Sequence, residues 1–90
     1  MKWTVTYRPT AESILAELWN VGPDRAEVTA AANRIDWLLR HHPLDAGEAR
    51  EDNERILVER PLAVSYTVSE PDLMVSVFDV WRWSEPPQAE

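Results

Sequence analysis

The 90-residue sequence contains no cysteine and only two glycines, Gly22 and Gly47. Without thiols the chain has neither disulfide bonds nor thiolate metal ligands, and this composition is typical of reducing compartments, so we expect a cytoplasmic location. Two isolated glycines cannot form a glycine-rich loop around a phosphate group. No apolar run approaches the roughly 20 residues that a membrane-spanning helix needs, so we expect no membrane insertion.

Positive charge is also scarce. Nine Lys and Arg residues stand against sixteen Asp and Glu residues, which gives a net charge of −7. Proteins that bind nucleic acids gain much of their affinity by neutralising phosphates, and a surplus of carboxylates opposes the approach of a polyanion. We therefore do not expect direct binding of free nucleic acid.

The second half of the chain carries three runs of β-branched and aromatic residues, separated by Pro61 and Pro71. Such runs indicate a three-stranded antiparallel meander. In the middle run apolar side chains occupy every second position: Leu62, Val64, Tyr66 and Val68. The last run, from Leu73 to Val80, has apolar residues at both odd and even positions. This pattern predicts a central strand that is buried on both faces.

The first half predicts a short strand and two helices. Alternation of Trp3, Val5 and Tyr7 indicates the strand, and Thr10 is a candidate N-cap for the first helix. Asp24 is a candidate N-cap for a second helix that continues to His42. Residues 43–53 are predicted to form a loop.

The second helix carries a second stripe on the side opposite its apolar face. Trp37 lies there with three small residues: Ala26, Ala30 and Asn33. One interpretation is that this side packs against the first helix in an antiparallel hairpin. The other is that Trp37 is exposed and binds a partner.

Together these elements predict an α+β fold with the order β-α-α-β-β-β. A helical hairpin would cover one face of a four-stranded, mostly antiparallel sheet, with strand 1 beside the last strand. We expect a single domain over residues 1–83 and a frayed C-terminal tail over residues 84–90.

The element order and the segment from Arg55 to Val68, RILVERPLAVSYTV, resemble the RelE/ParE superfamily of type II toxin–antitoxin toxins. The likeness extends over nearly the whole chain and rests on core and turn residues, so it bears on fold more than on activity. It implies a toxin that a cognate antitoxin binds, with DNA gyrase or the translation machinery as target and plasmid stabilisation among its roles.

For the ribonucleases of this superfamily, the resemblance also implies basic side chains on the sheet that hold phosphates. Arg55 lies on the strand that matches their basic pair, and Arg82 matches a basic residue at the end of the last strand. Ala63 stands where they carry an arginine, and residues 84–90 contain no counterpart of their late tyrosine. Three hypotheses remain open: a toxin that acts by binding, an mRNA endoribonuclease with few basic residues, and a non-toxic binding module. Whether the chain is an enzyme is therefore uncertain.

The candidate site residues are mostly arginines and tryptophans. Arg55 and Arg82 are candidate catalytic residues, and the candidate partner-binding or target-binding residues are Trp37, Arg50, Trp81 and Trp83. An Arg-Trp surface of this kind binds carboxylates, bases or protein partners. The alternative is that both tryptophans cap the core and Arg82 pairs with Asp79 or Glu59.

The histidine pair His41-His42 ends the second helix, but no third ligand is spaced to join it. Compensation of the helix dipole is the better account of this pair, so no metal and no cofactor are expected.

Overall fold

A computed structural model describes residues 2–20, 24–51 and 53–83. In chain order the elements are β1 (Thr4–Tyr7), α1 (Pro9–Asn20), α2 (Arg25–His41), α3 (Pro43–Ala46), β2 (Glu48–Ala49), β3 (Glu54–Glu59), β4 (Leu62–Ser69) and β5 (Met74–Arg82). The predicted α+β architecture, with helices on a mostly antiparallel sheet, is confirmed. The predicted tail at 84–90 lies outside the described residues.

The sheet has five strands in the order β1-β5-β4-β3-β2, rather than the predicted four. β1 runs parallel to β5, as its predicted position beside the last strand allows, and the other pairs are antiparallel. The extra strand is β2, which pairs with β3 inside the stretch predicted to be loop. Elements of two and four residues, such as β2 and α3, are too short to show a hydrophobic period, which explains why the sequence did not reveal them.

The core lies between one face of the sheet and the helices. β4 shows the predicted alternation, because Leu62, Val64 and Tyr66 are all buried. The helices contribute the facing side chains: Ala11, Val28, Ala31, Ile35 and Leu39. The apolar stripe of α2 therefore meets the apolar face of the sheet, as the 3.6-residue period predicts.

The prediction that β5 is buried on both faces is wrong. Val75, Val77 and Val80 belong to the core, whereas Met74 is 38% exposed. The register explains the pattern, because Asp79 lies opposite Ser65 while Val77 lies opposite Tyr66, which leaves one extra residue between them. This β-bulge reverses the alternation of side chains along the strand. Apolar residues at odd positions before the bulge and at an even position after it therefore face the same core. Leu73, predicted to begin the strand, lies in the preceding turn with φ of 50°.

Of the two predicted helix caps, Thr10 is not at its predicted position, and Asp24 is at its position without a capping hydrogen bond from its side chain. α1 begins at Pro9, so Thr10 lies inside the helix, and proline is favoured at the first helical position because its missing N–H is not needed there. Asp24 does occupy the N-cap position of α2, but its side chain makes no capping hydrogen bond. Its carboxylate instead contacts β5, as described below.

Only one side of α2 is buried. Trp37 is 54% exposed, and Ala26, Ala30 and Asn33 on its stripe are exposed as well. The interpretation that this stripe packs against α1 is therefore wrong. The exposure of Trp37 is confirmed, and its role in binding a partner stays a prediction. Among the described residues, no helix has the length and apolar character needed to cross a membrane.

Candidate functional site

The side of the sheet that faces away from the helices, here called the open face, collects side chains from β3, β4 and β5. Residues paired across strands project to the same side, so the register defines its rows. The three rows are Val58, Ala63 and Trp81; Ile56, Ser65 and Asp79; and Glu54, Thr67 and Ser76. The open face thus has an apolar end at the Trp81 row and a polar end at the Glu54 row.

The apolar end is built around small residues on the central strand. Ala63 is 0% exposed and Ser65 is 5% exposed, although none of the described helices lies on this side. The Trp83 N–H donates to the Pro61 carbonyl (2.9 Å), which continues the β4–β5 pairing by one residue and places Trp83 on the same side as Trp81.

The open face is acidic. Its strand positions include three carboxylates, Glu48, Glu54 and Asp79, and no lysine or arginine among the described residues. Arg50 follows β2, and its N–H donates to the Glu54 carbonyl (2.8 Å), which places it opposite Glu54 on this side of the sheet. Its guanidinium pairs with Glu48 across 3.3 Å, with both side chains largely exposed, so one cation stands against the three carboxylates. Carboxylates without a surplus of cations repel phosphate groups. This surface therefore favours cationic or apolar ligands over nucleic acid.

Arg55 lies on the helix side of the sheet instead. It is opposite Tyr66 in the β3–β4 register, beneath α3. Its Nη2 donates to the Gly47 carbonyl (2.9 Å), while the Tyr66 hydroxyl donates to the Pro43 carbonyl (2.7 Å). The Arg55 Nε is buried without a hydrogen-bond partner among the described residues. The guanidinium thus holds the turn between α3 and β2 in place.

Arg82 is also on the helix side, but at the opposite end of the sheet. Its Nη1 and Nη2 donate to Asp24 Oδ2 (2.5 Å) and Oδ1 (3.3 Å) at the start of α2. This hydrogen bond and the guanidinium charge lower the pKa of the Asp24 carboxyl. The predicted partners of Arg82 were wrong, because Glu59 accepts from Arg34 Nε (2.8 Å) and Asp79 lies on the open face.

The predicted Arg-Trp surface is therefore not formed. Arg55 is opposite Tyr66 and Arg82 is opposite Leu62, four residues apart on β4, which separates them by roughly 13 Å along the strand. Both arginines point to the helix side, whereas Trp81 and Trp83 lie on the open face. Neighbouring residues of a strand project to opposite sides of the sheet, so Arg82 lies on the helix side while Trp81 and Trp83 on either side of it lie on the open face.

Trp37 belongs to a separate surface, on the outer side of α2. Its ring centroid lies 4.6 Å from that of His41 and 5.5 Å from that of His42, which forms an exposed aromatic cluster. No group of three potential metal-ligating side chains occurs in the described parts of the chain. Trp37 thus lies on α2, close to Glu59 at the end of β3, whereas Trp81 and Trp83 lie on the open face.

Sequence reasoning did not identify Glu54, Ile56 and Val58 as members of the site. They occupy alternate positions of β3, and this alternation indicates that they share one side of the sheet. The pairing with β4 identifies that side as the open face, because Leu57, the neighbour of Val58, is the β3 residue in the buried core.

Burial raises the pKa of both tyrosines, Tyr7 and Tyr66, above the ordinary value of 10.0. Because the pKa of each tyrosine is higher in the folded state, the folded protein keeps protons that the unfolded chain loses. The free energy of unfolding is therefore unaffected below pH 10 and falls as the pH rises further. We expect the tyrosinate absorbance of the native protein to titrate with a midpoint above that of the urea-unfolded chain. Coincident native and unfolded curves would contradict this placement of the two rings.

Three comparisons with known proteins bear on this geometry. No protein-family model matches the chain, and no curated protein matches it significantly. Solved structures do match. The toxin–antitoxin complex RelBE2 from Mycobacterium tuberculosis aligns with a TM-score of 0.74 at 20% identity, over 92% of this chain and 100% of that one. The isolated E. coli RelE toxin aligns with a TM-score of 0.65 at 13% identity, over 93% and 87%. The archaeal RelE-RelB complex from Pyrococcus horikoshii gives 0.61 at 13%, over 91% and 96%. The fold is thus similar to that of the RelE toxins in these structures.

Proposed function

We propose, from this RelE-type fold and its acidic open face, that the chain is the toxin component of a type II toxin–antitoxin system. A cognate antitoxin protein binds and neutralises it. The toxin acts by binding a protein of the gyrase or translation machinery rather than by cleaving RNA. Support for the antitoxin comes from the solved neighbours, among which RelBE2 and the archaeal RelE-RelB pair are complexes of two proteins.

The observation that carries the proposal is the position of the two arginines. A ribonuclease needs cations that contact the phosphates and stabilise the charge that develops during cleavage. Arg55 and Arg82 instead project to the helix side and make internal contacts with Gly47 and Asp24. The open face carries carboxylates, and its tryptophans suit a protein surface better than a phosphate backbone.

A second candidate is a binding module that keeps the fold but is not toxic. The same two contacts favour it, because arginines that the superfamily's ribonucleases would use for phosphates here stabilise the fold. The two candidates share the antitoxin-like partner and differ in whether the chain affects growth.

Expression from an inducible promoter, with and without the product of the neighbouring small reading frame, tests the proposal. We expect growth to stop when the chain is expressed alone and to recover with its partner. Primer extension on cellular mRNA should show no new ends, because Arg55 and Arg82 project to the helix side and Arg50 is paired with Glu48. Unimpaired growth would exclude a toxin and leave the non-toxic binding module.

Matched arginine variants separate binding from cleavage. Arg82→Ala and Arg34→Ala each remove one ion pair that joins α2 to the sheet, with Asp24 and Glu59 as the respective partners. We expect both variants to remain equally toxic. New mRNA ends that disappear in Arg82→Ala but persist in Arg34→Ala would establish the endoribonuclease instead.

A further inference from the structure

We infer that the open face binds a basic, amphipathic segment of a partner protein. An apolar side chain of that segment packs on Val58 and Trp81, and its lysine or arginine side chains reach Glu54 and Asp79. The inference rests on the proposed function, because it specifies the chemistry of the protein that the chain binds.

The spacing of the open face fits one segment that follows β4. Val58 and Trp81 flank Ala63 from the two neighbouring strands, roughly 9.5 Å apart at two strand spacings. Asp79 belongs to the next row, two residues or roughly 7 Å along β4, and Glu54 to the row after that. A short helix or strand could place one apolar side chain on Val58 and Trp81 and its lysine or arginine side chains near Asp79 and Glu54, because these rows are spaced along β4.

Charge complementarity identifies the occupant. Neither Glu54 nor Asp79 forms an ion pair with a described residue, and Asp79 Oδ1 only accepts from the Val80 N–H (2.9 Å). The net charge of −7 adds a long-range field of the same sign. Cations are attracted by these carboxylates and also by the faces of Trp81 and Trp83.

The same charges exclude other occupants. An RNA strand or an acidic peptide would bring negative charge to Glu54 and Asp79, where like charges repel. A second copy of the chain, placed face to face, would set carboxylate rows against each other. A basic protein segment is the one class of ligand for which apolar burial and charge act in the same direction.

A designed peptide pair tests this surface on the complete chain. The probe is an amphipathic leucine-lysine peptide, and its twin has glutamate in place of every lysine. Isothermal titration calorimetry at low salt measures binding to the wild type and to two double variants. Glu54→Gln with Asp79→Asn removes the open-face charges, and the asparagine oxygen can still accept from the Val80 N–H. Glu17→Gln with Glu27→Gln removes two exposed charges from α1 and α2.

Both double variants have a net charge of −5, two less negative than −7, so non-specific attraction falls equally in both. We expect the basic peptide to bind the wild type, the open-face variant to bind about fivefold more weakly, and the helix variant to change by less than about twofold. The acidic twin should not bind. Equal losses in the two variants, or no binding of the basic peptide, would overturn the inference.

Failure of this inference is distinguishable from failure of the proposed function. If the neighbouring frame's product relieves toxicity but the basic peptide does not bind the open face, the inference alone is wrong. If the peptide binds as expected but expression leaves growth unimpaired, the toxin function is wrong and the basic-segment site stands.

Discussion

Replacement of Leu39 by alanine is expected to lower the free energy of unfolding by about 2–5 kcal/mol. Leu39 is completely buried on α2 and belongs to the core between that helix and the sheet. The truncation removes apolar contacts and leaves a cavity, because the neighbouring β4 side chains are held by the sheet. A single domain of this size has a total stability of only about 5–15 kcal/mol. Urea unfolding followed by circular dichroism measures the loss.

The matched control is Trp37→Ala, two residues away on the same helix. Trp37 is the larger side chain, yet it is 54% exposed, with its ring beside those of His41 and His42. We expect its removal to change the unfolding free energy by no more than about 0.5 kcal/mol, as for other exposed positions. Equal losses at the two positions would contradict the assignment of the stripes on α2. A stable Trp37→Ala variant would also serve in binding assays on this surface.

Gly47→Ala is expected to destabilise the protein by about 1–3 kcal/mol through overpacking. The backbone at Gly47 is extended, with φ of −103° and ψ of 166°, so any residue can adopt its conformation. Space is the constraint, because a Cβ there would overlap the Tyr66 hydroxyl and approach two ring carbons within 3.0 Å. The ring cannot move aside easily, since Tyr66 is fully buried and its hydroxyl donates to the Pro43 carbonyl.

A double-mutant cycle with Tyr66→Phe identifies this overlap as the cause. The single change Tyr66→Phe removes the donor to Pro43 and is expected to cost about 1–3 kcal/mol. In the double variant the hydroxyl that meets the new methyl group is absent, so the combined loss should be smaller than the sum by at least about 0.5 kcal/mol. The control pair Gly47→Ala with Tyr7→Phe concerns distant sites and should be additive. Additivity in both pairs would mean that Gly47 and Tyr66 do not limit each other.

The effect at Gly47 also shows what positions Arg55. Gly47 leaves room for the Tyr66 ring beside the turn after α3, and its carbonyl accepts from Arg55 Nη2 at 2.9 Å. The arginine therefore completes a structural cluster with Tyr66. Its assignment as a candidate catalytic residue came from its place on the strand, and the side to which it projects argues against that role.

Much of the fold followed from the sequence, because hydrophobic periodicity reports which residues share a face. The alternation from Leu62 to Val68 and the apolar stripe of α2 predicted the two halves of the core correctly. The site followed less well. Trp37, Trp81 and Trp83 were identified by residue type, but Arg55 and Arg82 were expected on one surface and lie roughly 13 Å apart on the other side of the sheet.

The sequence by itself determined the chain's shortage of cations and the alternation that leaves one side of the sheet apolar. The tertiary structure alone decided which side each residue serves. The bulge in β5 shifts the parity between Val77 and Val80, and the register of β3 on β4 turns Arg55 away from Trp81. Both are long-range pairings between strands. A local sequence pattern sets only the period of a strand, whereas pairing with a neighbour sets its register and hence the side to which each side chain points.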